Sequence, residues 1–308
     1  MPSAHLDSRP WLARNKWLVL RRLSQITVLS LYILGPIAGF WLIKGNLSSS
    51  LLLETIPLTD PLLLIQMFAA GVLTPLSTVI TGAVIVTLFY MLVGGRTYCS
   101  WVCPVNIVTD AANWLRVKLR IKPNSQLSRS ARYWVLAMTI LLSLATGTLA
   151  YEFVNPVSMV HRSLIFGMGF AAVIIIGIFL FDLFVAARGW CSHLCPMGAF
   201  YGLLGSVSPV RIRADERAQC RKGCNDCFQV CPEPQVITPA LKGEAKGISP
   251  VITSGNCTNC GRCIDVCPES VFHFGLRFDS ATHVPLPISS TARAVHPHPE
   301  PITGRKNS

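Results

Sequence analysis

The chain has 308 residues, just over half of them apolar, a formal net charge of +12 and twelve cysteines. A mean hydropathy of +0.47 excludes an intrinsically disordered chain and is too high for an ordinary water-soluble domain. The positive surplus sits in blocks beside apolar runs with no recognition motif, so nucleic acid is not an expected partner.

Residues 1–22 form a basic N-terminal segment with Arg9, Arg14, Lys16, Arg21 and Arg22. Four apolar stretches follow at 23–43, 74–94, 133–151 and 167–187. Each is close to the roughly 20 residues that cross a bilayer, so four transmembrane helices are expected. Arg21-Arg22 before the first stretch resembles an export signal. The run is too long for one, and no small-residue cleavage site follows, so it reads as an uncleaved helix. Between the first two stretches, Pro61 to Ala70 is a weaker apolar patch, expected to be re-entrant or on the surface. Arg96, Arg116, Lys118, Arg120, Lys122, Arg129 and Arg132 lie between spans two and three, whereas the other loops carry only Lys44 and Arg162. This asymmetry places both termini in the cytoplasm of a multi-pass bacterial inner-membrane protein, with the basic blocks drawn to anionic membrane lipid. Residues 110–125, inside a basic loop spanning 109–132, alternate Trp114, Leu115, Val117, Leu119 and Ile121 with cations and predict an amphipathic interfacial helix.

The membrane half is duplicated, with a first repeat at 23–108 and a second at 133–208. Arg96-Thr-Tyr-Cys99-Ser-Trp-Val-Cys103-Pro104 matches Arg188-Gly-Trp-Cys191-Ser-His-Leu-Cys195-Pro196, 92 residues on at the cysteines. Thr59-Asp60-Pro61 matches Val154-Asn155-Pro156 in the connecting loops. Two-span units keep one orientation, so both Cys-x3-Cys-Pro motifs are expected at the cytoplasmic interface. Cys99, Cys103, Cys191 and Cys195 read as redox-active or metal-ligating thiols beside a quinone site, their pKa lowered at helix starts. They hold a shared site if the repeats pack side by side; the plainer alternative is buried structural thiols. Asp182, inside the fourth span, is a candidate proton acceptor, against a bland role by snorkelling. His161 and Arg162 read as an interfacial pair facing lipid headgroups, and Tyr98, Trp101 and Trp190 as an aromatic belt.

Residues 209–279 carry two quartets, Cys220, Cys224, Cys227, Cys231 and Cys257, Cys260, Cys263, Cys267, each followed by proline. The second is the C-x2-C-x2-C-x3-C-P run of bacterial two-cluster ferredoxins, in which the fourth cysteine ligates the other cluster. Crossed ligation gives one [4Fe-4S] cluster on Cys220, Cys224, Cys227 and Cys267, and another on Cys257, Cys260, Cys263 and Cys231. Zinc is the competing reading, but it leaves the three-plus-one pattern and the C-P ends unexplained. The first quartet is one residue wider, and Gly223 is expected to absorb the extra residue at positive φ. These features predict an α+β two-cluster ferredoxin-like domain. There is no C-x-x-C-H, dinucleotide fingerprint or P-loop, so electrons are expected from a membrane-soluble carrier or a protein. The tail, 280–308, is rich in Pro, Ser, Thr and His and reads as disordered.

Four spans, two Cys-x3-Cys-Pro motifs and a C-terminal two-cluster module together resemble the NapH family, ferredoxin-type membrane subunits of periplasmic nitrate reductase systems. The matching pieces include Thr59-Asp60-Pro61, the stretch from Asn155 to Arg162, and Cys227-Phe-Gln-Val-Cys231-Pro-Glu-Pro. The resemblance implies a quinol dehydrogenase component that takes electrons from ubiquinol or menaquinol and acts only with partner subunits. Those partners are a periplasmic ferredoxin-type subunit and a membrane c-type cytochrome of the nitrate reductase system. The alternative is a maturation or redox-sensing protein that delivers reductant or metal. One tension accompanies the resemblance. The derived topology puts the clusters on the cytoplasmic face, and nitrate is reduced outside, across a bilayer core roughly 30 Å thick.

Overall fold

A computed structural model describes residues 9–39, 41–72, 76–121, 127–167, 169–221 and 223–278. The tail 280–308, residues 1–8 of the N-terminal segment, 40, 74–75 and 168 of the expected spans, 122–125 of the amphipathic helix, and Lys222 lie outside them.

The first apolar stretch forms the helix Lys16–Ala38, 23 residues with Pro36 near its end and Gly39 at φ 70° as its left-handed stop. At 1.5 Å per residue it is about 35 Å long. It is the one helix among the described residues that is long and apolar enough to cross a bilayer. Leu20, Leu23, Ile26 and Ile37 face outward, while Arg21, Gln25 and Tyr32 are buried.

The other three expected spans are helical but shorter. Leu76–Val93 has 18 residues, and Ala131–Thr146 has 16 before Gly147 turns left-handed at φ 65°. The fourth begins as Phe170–Leu180 and passes into a π-helical turn, Phe181–Val185. Glycines and the π turn end these helices earlier than hydropathy alone suggests. Their outer faces still expose Leu88, Phe89 and Leu92, Trp134, Met138 and Leu141, and Val173 and Ile176.

Ahead of the second and fourth stretches lie two further helices, Pro61–Ala69 and Pro156–Phe166. They begin alike. Asp60 accepts the Leu62 amide and Asn155 accepts the Val157 amide, each with proline at the first helical position, where its missing N–H costs nothing. The duplication is thus visible as a matched pair of capped helices. The first was expected to be re-entrant or on the surface. One face is buried, with Leu62 and Gln66 inaccessible and Gln66 accepting the Tyr151 amide at 3.1 Å, while Ile65 and Phe68 on the other face are exposed. His161, expected to face headgroups, is buried edge-on against Tyr32. Between the first helix and Pro61 lies a sheet that hydropathy does not suggest. It is antiparallel, with β1 (Ile43–Gly45), β2 (Ser49–Leu52) and β3 (Ile56–Thr59) in that order. Pro57 pairs with Leu51 on an edge strand, the position where a missing donor is tolerated.

The cysteine-rich part is framed by β4 (Val210–Arg213) and β5 (His273–Leu276), antiparallel with Val210 opposite Leu276. Between them run the short helices Asp226–Val230, Ile237–Lys242 and Arg262–Val266 over a core of Ile212, Ile237, Ile252 and Phe272.

This part packs directly on the first long helix. The Asp265 carboxylate accepts the Trp17 and Leu18 amides, each at 3.1 Å, and so caps that helix from 247 residues away. Arg262 completes the cluster at 3.0 Å. Trp17 lies edge-on to Phe274 at 4.7 Å, and a Cβ at Gly261 would sit 2.5 Å from its ring. Replacing Asp265 by Ala removes both amide acceptors, an expected loss of about 1–2 kcal/mol by analogy with N-cap deletions. Thermal unfolding together with faster hydrogen exchange at Trp17 and Leu18 checks this; unchanged exchange there refutes it.

Candidate iron–sulfur centres

Two small cavities lie in the cysteine-rich part. Cys220, Cys224, Cys227 and Cys267 line one, with Val271 and Phe272. Cys231, Cys257, Cys260 and Cys263 line the other, with Ile252 and Ile237. Each cavity takes three cysteines from one run and the fourth from the other. The cause is local. In each run a five-residue helix, Asp226–Val230 or Arg262–Val266, carries the third cysteine in its first turn and ends just before the fourth, and the two helices pack together. Chain extension over that helix carries the fourth sulfur to the neighbouring cavity. Gly223 has φ +83°, so the widened first run closes through a conformation that suits glycine.

The donor set fits a polynuclear iron–sulfur group. Burial, then the neighbouring thiols, pushes Cys227, Cys231 and Cys263 above the ordinary thiol value. Such a set ionises only when a cation replaces its protons. A cubane spreads its four thiolates over separate irons, and each cavity offers four sulfurs around one space, three from one run and one from the other.

The two Cys-x3-Cys-Pro motifs meet at the edge of the second cavity. Cys99 lies on the turn Thr97–Trp101, and Cys103 precedes the helix Val105–Lys118. Cys191 lies in the π turn Trp190–Leu194, and Cys195 is the N-cap of Pro196–Leu204. Thiols of both repeats fall within electrostatic reach of one another. A lowered pKa was expected at helix starts. Burial reverses it: all four thiols are raised, Cys195 to about 11. Tyr98, expected in an interfacial belt, is buried and stacked on Tyr201 at 4.9 Å. The interfacial helix is shifted to Val105–Lys118; it exposes Trp114 and Val117 but buries Arg116, which donates to the Asp182 carbonyl at 3.0 Å. Asp182 is fully buried and accepts the Trp190 amide at 2.9 Å, which fixes the turn bearing Cys191.

Two serines and two ionic groups, unremarked in the sequence, join the motifs to the cysteine loops. Ser100 donates to the Thr258 carbonyl at 2.7 Å, and its repeat partner Ser192 donates to the Pro232 carbonyl at 3.3 Å. Each accepting residue adjoins a cysteine of the second cavity. Arg96 Nη1 donates to Glu233 at 2.6 Å and to the Asn256 carbonyl at 3.1 Å, while Nη2 reaches the Cys191 carbonyl at 3.1 Å. Arg132 and Arg129 also reach Glu233, at 3.0 and 3.3 Å. The second repeat's Arg188 binds Asp110 at 3.2 Å and the Val230 carbonyl at 3.2 Å, and Asp110 also takes Arg21 and Arg22. The signal available in the sequence was the Arg and Ser shared by both motif copies.

Comparison with known proteins agrees with this geometry. A 4Fe-4S dicluster domain model matches residues 219–271, and a 4Fe-4S binding domain model matches 76–122 and again 168–214. The ferredoxin-type protein NapH of Escherichia coli K12 is 48% identical over 275 residues, 89% of this chain and 94% of that protein. The methylamine utilization ferredoxin-type protein MauN of Paracoccus denitrificans is 52% identical over 251 residues, 81% of this chain and 86% of that protein. MauN of Methylorubrum extorquens is 51% identical over 266 residues, 86% of this chain and 91% of that protein. The chain belongs to the NapH and MauN family of ferredoxin-type proteins. As a member of that family with 4Fe-4S domains, it is an iron–sulfur electron-transfer protein. The two 4Fe-4S binding matches of this NapH and MauN relative are offset by the same 92 residues as its cysteine motifs. No solved structure matches the chain.

Glu233 is the junction most open to test. Burial alone raises its carboxyl; the Arg96 guanidinium overrides this, aided by Gln235 and Arg132, and holds it below the ordinary carboxylate value. Its stabilisation is therefore complete above the unfolded pKa and is lost as pH falls through the lowered folded value. Replacing Glu233 by Gln leaves Arg96 and Arg132 buried without a counter-charge, an expected cost of about 3–5 kcal/mol. Acid and thermal unfolding of both proteins measures it, and the variant is expected to lose the acid-dependent part of the transition.

Proposed function

We propose that this protein is a bacterial inner-membrane subunit that oxidises quinol and passes the electrons on one at a time through two [4Fe-4S] clusters. The observation that carries the reading is the crossed lining of the two cavities, each with four cysteines and each next to the other through the paired helices. Cys220, Cys224, Cys227 and Cys267 would hold one cluster, and Cys257, Cys260, Cys263 and Cys231 the other. When bound, the pair supplies two one-electron acceptors, matching a donor that releases two electrons and two protons on becoming quinone. The chain's own residues do the rest. Ser100, Ser192 and Arg96 hold the second cavity's loops against the repeat motifs, and Asp182 positions the turn bearing Cys191. The exposed apolar faces of the helices supply contact with lipid and a route for ubiquinol or menaquinol. A multi-pass arrangement with both termini cytoplasmic fits the basic residues between the second and third apolar helices.

The similarity to NapH favours delivery toward a periplasmic nitrate reductase, through a ferredoxin-type partner subunit and a membrane c-type cytochrome. A second reading is favoured by the 51–52% identity to MauN, proteins named for methylamine utilization. There the same electrons would serve maturation or supply of a different periplasmic partner. Growth of a deletion strain separates them: a defect confined to nitrate supports the first, and one confined to methylamine the second.

Crossed ligation has its own signature. Cys267→Ala is expected to abolish the centre shared with Cys220, Cys224 and Cys227, although Cys267 belongs to the other run. Cys231→Ala is expected to abolish the centre shared with Cys257, Cys260 and Cys263. Electron paramagnetic resonance of the reduced variants reads each loss separately; a loss that follows the run instead of the cavity refutes the assignment. Anaerobic protein mixed with a quinol analogue and its partners is expected to bleach its cluster absorption, and full retention of that band counts against quinol as donor.

A further inference from the structure

The largest group of nucleophilic side chains outside the two ferredoxin cavities is Cys99, Cys103, Cys191 and Cys195. All four are free thiols. Cys103 belongs to the buried core of the helical part, with Cys99 and Cys195 packed against it. The Cys191 backbone is held there by Arg96, and a Cβ on Gly198 would lie 3.2 Å from the Cys191 carbonyl and 3.8 Å from Cys195 Cβ. The same region contains hydrogen-bond donors with nothing conventional to bind. The hydroxyls of Tyr98 and Tyr151, residues only 6% and 3% exposed, find no nitrogen or oxygen partner. Tyr151 faces the Cys195 thiol. Arg96 Nε is likewise buried without an acceptor, and its guanidinium lies against the Cys99 thiol. Each buried unsatisfied donor costs about 1–3 kcal/mol, so several around one group of sulfurs call for a strong acceptor. Thiolates on a cluster, and the inorganic sulfides between its irons, are such acceptors.

We propose that Cys99, Cys103, Cys191 and Cys195 together hold a third iron–sulfur cluster, two ligands from each repeat. The inference rests on the reading of this chain as an iron–sulfur electron carrier and extends it. The Tyr98 and Tyr151 hydroxyls and the Arg96 guanidinium, buried around these sulfurs, suit a group that presents several sulfur acceptors at once. Both matches to the 4Fe-4S binding domain enclose one pair of the thiols. The third centre adjoins the second cavity, since Ser100, Ser192 and Arg96 each bond a carbonyl beside its cysteines. It also extends toward the other end of the helices. Tyr98 stacks on Tyr201, whose hydroxyl donates to Asp60 at 3.0 Å, in the loop that hairpin topology puts opposite the ferredoxin part. A centre here shortens the gap that two clusters on one face leave unbridged.

The test counts iron and acid-labile sulfide per chain in full-length protein purified anaerobically, alongside Cys103→Ser/Cys195→Ser. Wild type is expected to hold about twelve irons, four per cubane, and the variant about eight with the ferredoxin resonance signals intact. If the variant does not fold, Cys99→Ser/Cys191→Ser, at less buried positions, replaces it, and the wild-type count decides by itself. About eight irons in wild type, unchanged in the variant, overturns the third cluster and leaves the two-cluster reading standing. Zinc at the four thiols, or a disulfide between them, also overturns it. A wild-type protein without iron overturns both readings.

Discussion

Glu233 is a single carboxylate, 1% exposed at its side chain, between the fully buried guanidinium groups of Arg96 and Arg132. Three parts of the chain meet at this point. Arg96 comes from the first repeat, Arg132 from the end of the basic loop that leads into the second, and Glu233 from the turn that follows Cys231. None of the three tolerates burial alone, because an unpaired charge in such a place costs several kcal/mol. Each therefore needs the other two, so the relative position of repeats and cysteine loops is set by charge neutrality as well as by shape. Apolar packing alone leaves that position free to slide.

Duplication gives the cysteine loops a cradle with two matched sides. Each repeat offers an arginine, a serine and a pair of thiols at the same places. The first serine holds the loop of Cys257 and Cys260, and the second holds the turn after Cys231. The arginines diverge: Arg96 goes to Glu233, whereas Arg188 goes to Asp110 and the Val230 carbonyl. A duplicated base thus receives a domain whose two cavities each take one cysteine from the other run. The fit between two internal duplications explains why residues far apart in the chain pack as one unit.

Much of this was legible beforehand. Cysteine spacing carried the crossed grouping and the positive φ of Gly223, because ligand geometry and glycine freedom are short-range facts. The capped helices at Pro61 and Pro156 were visible only as repeated tripeptides. Helix lengths were less legible. Hydropathy reports where apolar residues are, and it cannot see Gly147 or the π turn after Leu180 ending a helix early. The three-stranded sheet from Ile43 to Thr59 was hidden, since its pairing is mostly backbone and its sequence is short and mixed. The thiol pKa direction was misjudged for a definite reason: a helix start favours the anion by a modest dipole effect, and full burial opposes it by more. Asp265 was silent because a polar residue shows its value only once its distant partner is known, whereas Ser100 and Ser192 were marked by their repetition but not by their partners.

The Asp265 cap has a consequence for how the molecule is made. The helix Lys16–Ala38 leaves the ribosome early, with its first turn of amides lacking the acceptor that 247 further residues will supply. Until translation ends and the cysteine loops close, that turn must be hydrated or frayed. Closure of the segment that carries Asp265 and anchoring of the leading helix are then one event.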